Sequence, residues 1–199
     1  LDGGIEDPSI NKKYLEKASS STERLAQIVE DLDQITGFEA QRLELYIQKI
    51  NILELANEVI DSFELKAKES QTTLKFRKEY DGPIWVLADK NRIRQVFVNL
   101  INNSLKYGKE DGSIEIRFYD LDKNMLIEVA DDGIGIENKH LSRLFERFYR
   151  VDASRSRDKG GTGLGLSIVK HIIEAHDQTI NGRSTPKVGS TFGFTLKKG

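Results

Sequence analysis

Apolar residues recur in a seven-residue rhythm along the first quarter of the chain, with Ala18, Leu25, Ile28, Leu32 and Ile35 forming one narrow seam. Between residues 9 and 45 there is no proline, and Gly37 is the only glycine. The spacing predicts one long helix, entered through Asp7-Pro8-Ser9, where Asp7 or Ser9 can cap it. Lys12, Lys13, Glu16, Glu23, Arg24, Glu30 and Asp31 occupy the opposite face, so the stripe has to be buried against something. A helix packed on its own domain is one solution. A helical hairpin lacking its first arm, or a dimer, suits the length of the seam better.

After a junction at Gly37 to Leu45, a second helical pattern runs through Leu53, Leu55, Val59, Ile60, Phe63 and Ala67. The period then changes. Thr72 to Tyr80 alternates like a strand, and Ile84 to Ala88 reads as a buried strand behind the turn Asp81-Gly82-Pro83. Asp89 caps a helix carrying Ile93, Val96, Phe97, Leu100, Ile101 and Leu105. Strands follow at Ser113 to Asp120 and Met125 to Ala130, then a short helix at Lys139 to Phe148 and a basic loop. A helix at Leu164 to His176 and strands near Gln178 to Ser184 and Ser190 to Leu196 end the series. Hairpin strands mixed with helices in this order predict an α+β two-layer sandwich, a sheet covered on one face by helices. The division is residues 1–45 for the helical part and 46–199 for the mixed domain.

Composition narrows the function classes. The 199 residues carry 30 basic and 32 acidic side chains, a net charge of −2, so no global field draws the protein to nucleic acid or anionic lipid. Absence of cysteine excludes disulfides and thiolate metal sites, with the cytoplasm as the default compartment. No apolar run approaches the roughly 20 residues of a membrane-spanning helix, so no membrane contact is expected of this stretch.

Three polar clusters interrupt this framework. Asn99, Asn102, Asn103, Lys106 and Tyr107 lie within about two turns of an otherwise apolar helix, and Asn99, Asn103 and Lys106 share one side. Such groups are costly on a half-buried face unless bonded, although a face turned to water also explains them. An amide oxygen can ligate a hard cation, and an ammonium can reach a phosphate. Asp131-Asp132-Gly133-Ile134-Gly135-Ile136 directly follows a strand. Its glycines let backbone lie close to a planar ligand, and a carboxylate there can accept from an exocyclic amine; a calcium loop or plain turn fits the string as well. Gly160-Gly161-Thr162-Gly163-Leu164-Gly165-Leu166 precedes an apolar helix and offers free N–H groups to an anion, without the lysine ending of a P-loop. Between the glycine clusters, Phe145-Glu146-Arg147-Phe148-Tyr149-Arg150 leads into a segment holding Arg155, Arg157 and Lys159, the make-up of a lid over phosphates or of a solvated charged loop.

In order and spacing the set resembles the sensor histidine kinases of the GHKL ATPase superfamily. Asn99 to Tyr107 is similar to the N box, Asp131 to Ile136 to the first glycine box, Leu144 to Arg150 to the F box, and Gly161 to Leu166 to the second glycine box. Val188-Gly189-Ser190-Thr191-Phe192 resembles the last Gly-Thr-Phe element, and Leu25 to Leu45 the second helix of the dimerisation hairpin. The resemblance implies a histidine-kinase ATPase fold binding ATP or ADP with Mg²⁺ and transferring phosphate to a protein histidine. It implies that Asn103 ligates Mg²⁺ with Asn99 nearby, and that Lys106 and Tyr107 meet phosphate, ribose or lid. Asp131 is implied to bind the adenine amine in a pocket shaped by Gly133, Gly135 and Ile136. The resemblance further implies that Tyr149 and Arg150 reach the phosphate end, that Gly161, Thr162, Gly163, Leu164, Gly165 and Leu166 give hinge and backbone contacts, and that Thr191 completes the nucleotide set. Asn99, Lys106 and Arg150 are the implied catalytic groups. Implied partners are a response-regulator receiver domain and a homodimer through the hairpin, in a parent anchored in the bacterial inner membrane.

Two departures matter. No His-Glu-x-x-Arg-Thr-Pro-like acceptor segment is present, and the histidines at 140, 171 and 176 read as packing or surface residues. The expectation is a fragment beginning just after the first hairpin helix and unable to phosphorylate itself. Asp177-Gln178 stands where Gly-Gly commonly follows the last histidine. Hydrolysing relatives of the superfamily place a glutamate base four residues before the metal asparagine. Here that position is Asn99, which cannot take a proton from water, so transfer is favoured over an ATP hydrolase or a degenerate docking module.

Overall fold

The computed structural model describes residues 11–19, 21–22, 25–26, 29, 44–151 and 162–199. Its elements run β1 (Gln48–Asn51), α1 (Ile52–Ser62), α2 (Glu64–Glu69), β2 (Thr73–Phe76), β3 (Trp85–Ala88), α3 (Lys90–Tyr107), β4 (Ser113–Leu121) and β5 (Asn124–Asp131). They continue with α4 (Asn138–Leu141), α5 (Gly165–Ala175), β6 (Ile180–Thr185) and β7 (Gly189–Lys198). Seven strands form one sheet in the order β1-β3-β7-β5-β4-β2, with β6 also paired to β7. Every pairing is antiparallel except that of β2 with β4.

Strand alternation sorts the sheet into two faces. Ile114, Ile116 and Phe118 of β4, Met125, Ile127 and Val129 of β5, and Phe192, Phe194 and Leu196 of β7 are buried on one face. Onto it pack the apolar stripes of α1 (Ile52, Leu55, Ala56, Val59), α3 (Ile93, Val96, Phe97, Leu100, Ile101) and α5 (Ile168, Val169, Ile172, Ile173). Phe97 meets Phe194 edge-on at 5.8 Å between ring centroids. Each fully buried side chain of this size contributes about 1.5–3 kcal/mol relative to exposure. The opposite face is polar in its middle, where the Glu128 side chain, 3% exposed, pairs with Arg183 at 2.6 Å.

This is the expected two-layer sandwich, with local differences: the strand expected from Thr72 to Tyr80 spans only Thr73–Phe76, and three more follow. The second helical pattern is interrupted at Phe63, giving α1 and α2 in place of one helix. Strand β1 was not expected; it exists by pairing with β3, a long-range partner that local periodicity does not encode. The helix predicted from Lys139 to Phe148 is helical only over Asn138–Leu141 and continues as turns. At the end of α5, Asp177 takes the left-handed conformation (φ 55) usually given to glycine, and the N–H groups of Asp177 and Gln178 close back on Glu174 and Ile173. The Gly-Gly departure therefore keeps the turn and bears its Cβ penalty.

Described residues between 11 and 29 are helical, and Leu25, at 62%, and Ala18 are exposed. Ile28, Leu32 and Ile35 of the expected seam, and Gly37, lie outside the described residues. Among the described residues no helix is long and apolar enough to cross a membrane.

Candidate functional site

Strand β5 ends on the carboxylate around which the site is built. Asp131 Oδ1 accepts from the N–H groups of Gly133 at 3.0 Å and Ser190 at 3.3 Å, while Oδ2 accepts from the Ser104 hydroxyl at 3.3 Å. Burial raises its pKa above the usual carboxylate range, against the lowering effect of these bonds. Its neighbour shifts the other way: burial also pushes Asp132 up, but the Ser113 N–H, Lys109 and the Ser113 hydroxyl outweigh it and hold Asp132 low. Thus Asp132 is a satisfied surface anchor, and Asp131 is a desolvated acceptor.

Two glycines let the following turn lie flat. At Gly133 a Cβ would stand 2.4 Å from the Tyr107 carbonyl oxygen, so the turn rests on the C-terminal end of α3. Gly135 has φ +67, and a Cβ there would lie 2.0 Å from the Thr185 carbonyl oxygen. Ile134 holds this packing through its N–H to Tyr107 (3.1 Å) and its carbonyl to the Lys187 N–H (2.7 Å), and the Ile136 N–H donates to Ser184 Oγ at 2.8 Å. Alanine at 135 is expected to destabilise the fold by about 3 kcal/mol or more, combining left-handed strain with overpacking. Gly82→Ala, at φ +81 with nothing within 4 Å of its Cβ, serves as the control for strain alone. Urea unfolding of the two variants measures the difference, and equal losses would show that the Thr185 contact does not matter.

Helix α3 presents Asn99, Asn103 and Lys106, spaced by four and three residues, along one side. The start of α5 abuts that side, since a Cβ on Gly165 would stand 3.3 Å from Asn99 Oδ1. Leu164 is buried beneath, and its N–H donates to Thr162 Oγ1 at 3.1 Å. Asn102 points elsewhere and accepts from Lys66 at 2.8 Å. At the end of α3, Lys106 Nζ lies 5.1 Å from the Tyr107 ring centre. Burial raises the Tyr107 pKa while the nearby Arg150 guanidinium opposes it, which brings Arg150 to the same corner.

Behind α4, the Phe148 N–H donates to the Gly163 carbonyl at 3.0 Å, and Gly163, at φ +75, could not carry a Cβ without meeting the Phe148 backbone at 2.9 Å. This contact joins the two ends of the intervening segment. Tyr149 is held by its own neighbours, its hydroxyl 2.6 Å from His140 Nδ1 and its ring under the Arg143 guanidinium at 4.3 Å.

Most expected site residues therefore gather around the ends of α3, β5 and α5. Leu166, partly buried in the first turn of α5, packs against the core. Thr191 does not join them: it aligns with Ala130 and Arg183 on the sheet face away from the helices. Residues two apart share a face, so the inward positions are Ser190 and Phe192, both buried. Gly161 lies outside the described residues, as do Gly160, Arg155, Arg157 and Lys159. Ser104, Ser184 and Ser190 were missed. Ser104 was legible as a hydroxyl at an inward position of α3, and Ser190 as the residue in phase with Phe192.

The family model described as histidine kinase-, DNA gyrase B- and HSP90-like ATPase matches residues 88–199. Sensor histidine kinase WalK of Bacillus subtilis is 36% identical over 197 residues, covering 98% of this chain and 32% of that protein. Drug sensory protein A of Synechocystis is 36% identical over 195 residues, 93% of this chain and 29% of that protein. The chain thus spans about a third of the length of these curated relatives. Among solved structures, histidine kinase ThkA in complex with response regulator protein TrrA superposes with a TM-score of 0.80 at 27% identity, covering 100% of this chain and 55% of that one. The nucleotide-free catalytic domain of ThkA gives a TM-score of 0.67 at 29% identity, over 76% of this chain and 95% of that one.

Proposed function

The chain belongs to the histidine kinase-, DNA gyrase B- and HSP90-like ATPase family, and on that premise we propose that it binds Mg-ATP and transfers the γ-phosphoryl group to a histidine on a helical hairpin. The observation that carries the reading is Asp131. A half-buried carboxylate with its pKa raised by desolvation, fixed by Ser104, Gly133 and Ser190 and flanked by a turn no Cβ could enter, suits the amine edge of adenine.

The donor set fits the rest of the ligand. Among the described residues no group of three His, Cys, Asp or Glu could hold a metal ion, so a cation here takes most of its ligands from phosphate oxygens and water. Asn103, with Asn99 beside it, supplies neutral amide oxygens that ligate without repelling the triphosphate. Bound Mg²⁺ neutralises phosphate charge. Lys106 and Arg150 add cationic donors to the phosphates, and the N–H groups at the start of α5 complete the anion site. Phosphoryl transfer asks mainly for such positioning and neutralisation. Asn99 offers no proton acceptor for an attacking water, which favours transfer over hydrolysis.

Residues 1–45 are read as the second arm of a dimerisation hairpin and 46–199 as the catalytic unit. Its partners in that reading are a homodimeric hairpin and a response-regulator receiver domain, on the cytoplasmic side of a membrane-anchored parent. All three histidines lie at position 140 or later, so the acceptor must be supplied. Calorimetry is expected to show one ADP or ATP bound per chain, with binding lost on adding a magnesium chelator. No heat of binding from folded protein would overturn the proposal.

A further inference from the structure

His176 has no part in the site above, yet both of its ring nitrogens are engaged. Nδ1 lies 2.7 Å from the Ile172 carbonyl oxygen, one turn back in α5, and so must donate there. Nε2 lies 3.0 Å from the Asp89 nitrogen and accepts its N–H. The ring is therefore neutral, with its proton on Nδ1. Burial holds its pKa below the ordinary value, against the Ile172 bond and the Asp89 carboxylate.

Asp89 is the N-cap of α3. Its Oδ1 accepts from the N–H groups of Asn91 at 3.0 Å and Arg92 at 3.1 Å, and its Oδ2 accepts from the Tyr46 N–H at 3.0 Å. One residue thus joins the C-terminus of α5, the N-terminus of α3 and the backbone where the chain enters the catalytic unit. At its centre Asp89 is 9% exposed, with His176 half-buried on one side and the exposed Tyr46 contributing its backbone on the other.

The two helices run in opposite directions, since α3 meets the end of α5 at Asp89 and His176 and meets the start of α5 at Asn99 and Gly165. Asn99 lies ten residues beyond Asp89, about 15 Å along the helix. A ligand held between Asn103, Lys106 and the first turn of α5 bears on both helices at one end, and the His176–Asp89 bond ties them at the other. Helices are stiff over this distance, so a change in their relative setting is felt at this cluster, which holds the Tyr46 N–H directly beside the pairing of Gln48 with Ala88.

We infer that His176 is a positioning residue that, through Asp89, couples nucleotide occupancy between α3 and α5 to the backbone at Tyr46, the entry to the catalytic unit. The inference rests on the nucleotide reading proposed above. Coupling of this kind is reciprocal: whatever fixes Tyr46 also biases the nucleotide site.

The test is amide hydrogen exchange of this chain with and without a non-hydrolysable ATP analogue and Mg²⁺, alongside calorimetry. Nucleotide is expected to slow exchange at the Tyr46 amide about tenfold. His176→Asn keeps a donor near Nδ1 but loses the acceptor at Nε2, and should abolish the slowing while nucleotide affinity stays within threefold. His176→Gln places an amide oxygen near the Nε2 position and should restore it. Tyr46→Pro, which deletes the donor without touching the core, should lose the nucleotide-dependent slowing at neighbouring Ile47. Nucleotide binding with no change at Tyr46 overturns the coupling. A uniform rise of exchange across α3 and α5 in His176→Asn, with equal loss of affinity, overturns it in favour of a merely structural role. Failure of the unaltered chain to bind nucleotide overturns the functional proposal, and the inference with it.

Discussion

Replacing Asp131 by asparagine is expected to leave the nucleotide-free protein at least as stable at neutral pH while weakening nucleotide binding about 100-fold, or about 2.7 kcal/mol. The two effects have opposite sign because the carboxylate sits where burial disfavours its charge. Its folded pKa lies above the unfolded one, so the folded state holds the proton more tightly. Stability therefore falls as pH rises from the unfolded value through the folded one, and the cost of the buried charge is fully present above that window. An amide removes this cost, and its oxygen can still accept from Gly133 and Ser190. Toward an adenine amine, however, the amide nitrogen is a second donor, and a charge-assisted bond worth about 1.5–3 kcal/mol is lost. Thermal unfolding with and without Mg-ADP separates the two. The original protein should be strongly stabilised by nucleotide and Asp131→Asn hardly at all. Undiminished affinity in the variant would remove Asp131 from the recognition of the base.

The same residue shows what a sequence can and cannot say about such a site. That Asp131 ends a strand and is followed by two glycines was legible, because alternation and glycine spacing are local. The Ser190 and Ser104 bonds to its carboxylate were not, because they depend on β5 lying beside β7 and beneath α3. Thr191 and Ser190 differ by one step of strand phase, and the buried Phe192, two residues from Ser190, marks Ser190 as the inward position. Helices α3 and α5 were read almost to their ends, since capping at Asp89 and the apolar rhythm are written in neighbouring residues. Strand β1 answers to a distant partner, β3, and no window of a few residues contains it. Likewise His176 reads as a packing residue in sequence; only the fold brings Asp89 and Tyr46 to it.

Asn103→Asp is expected to lower phosphotransfer to a supplied histidine hairpin at least 1,000-fold, about 4 kcal/mol of barrier. On the proposed reading the added carboxylate would face the triphosphate. Two unit charges about 5 Å apart repel by about 3 kcal/mol at an effective dielectric near 20, before any loss of metal geometry is counted. Asn102→Asp introduces the same charge one residue earlier, on the side of α3 where Lys66 already donates at 2.8 Å, and there the carboxylate gains an ion pair. Its transfer rate should stay within threefold of the original. Labelled ATP and a hairpin carrying the acceptor histidine give both rates in one assay. Transfer by Asn103→Asp within threefold of the unaltered chain would show that the asparagine does not face the phosphates. The contrast turns on the helix period: one residue rotates a side chain by about 100°, and only the Asn99, Asn103 and Lys106 side meets the glycine turn at the start of α5. A neutral amide would suit the proposed role of that side because it can ligate a cation without adding to the negative charge of a triphosphate.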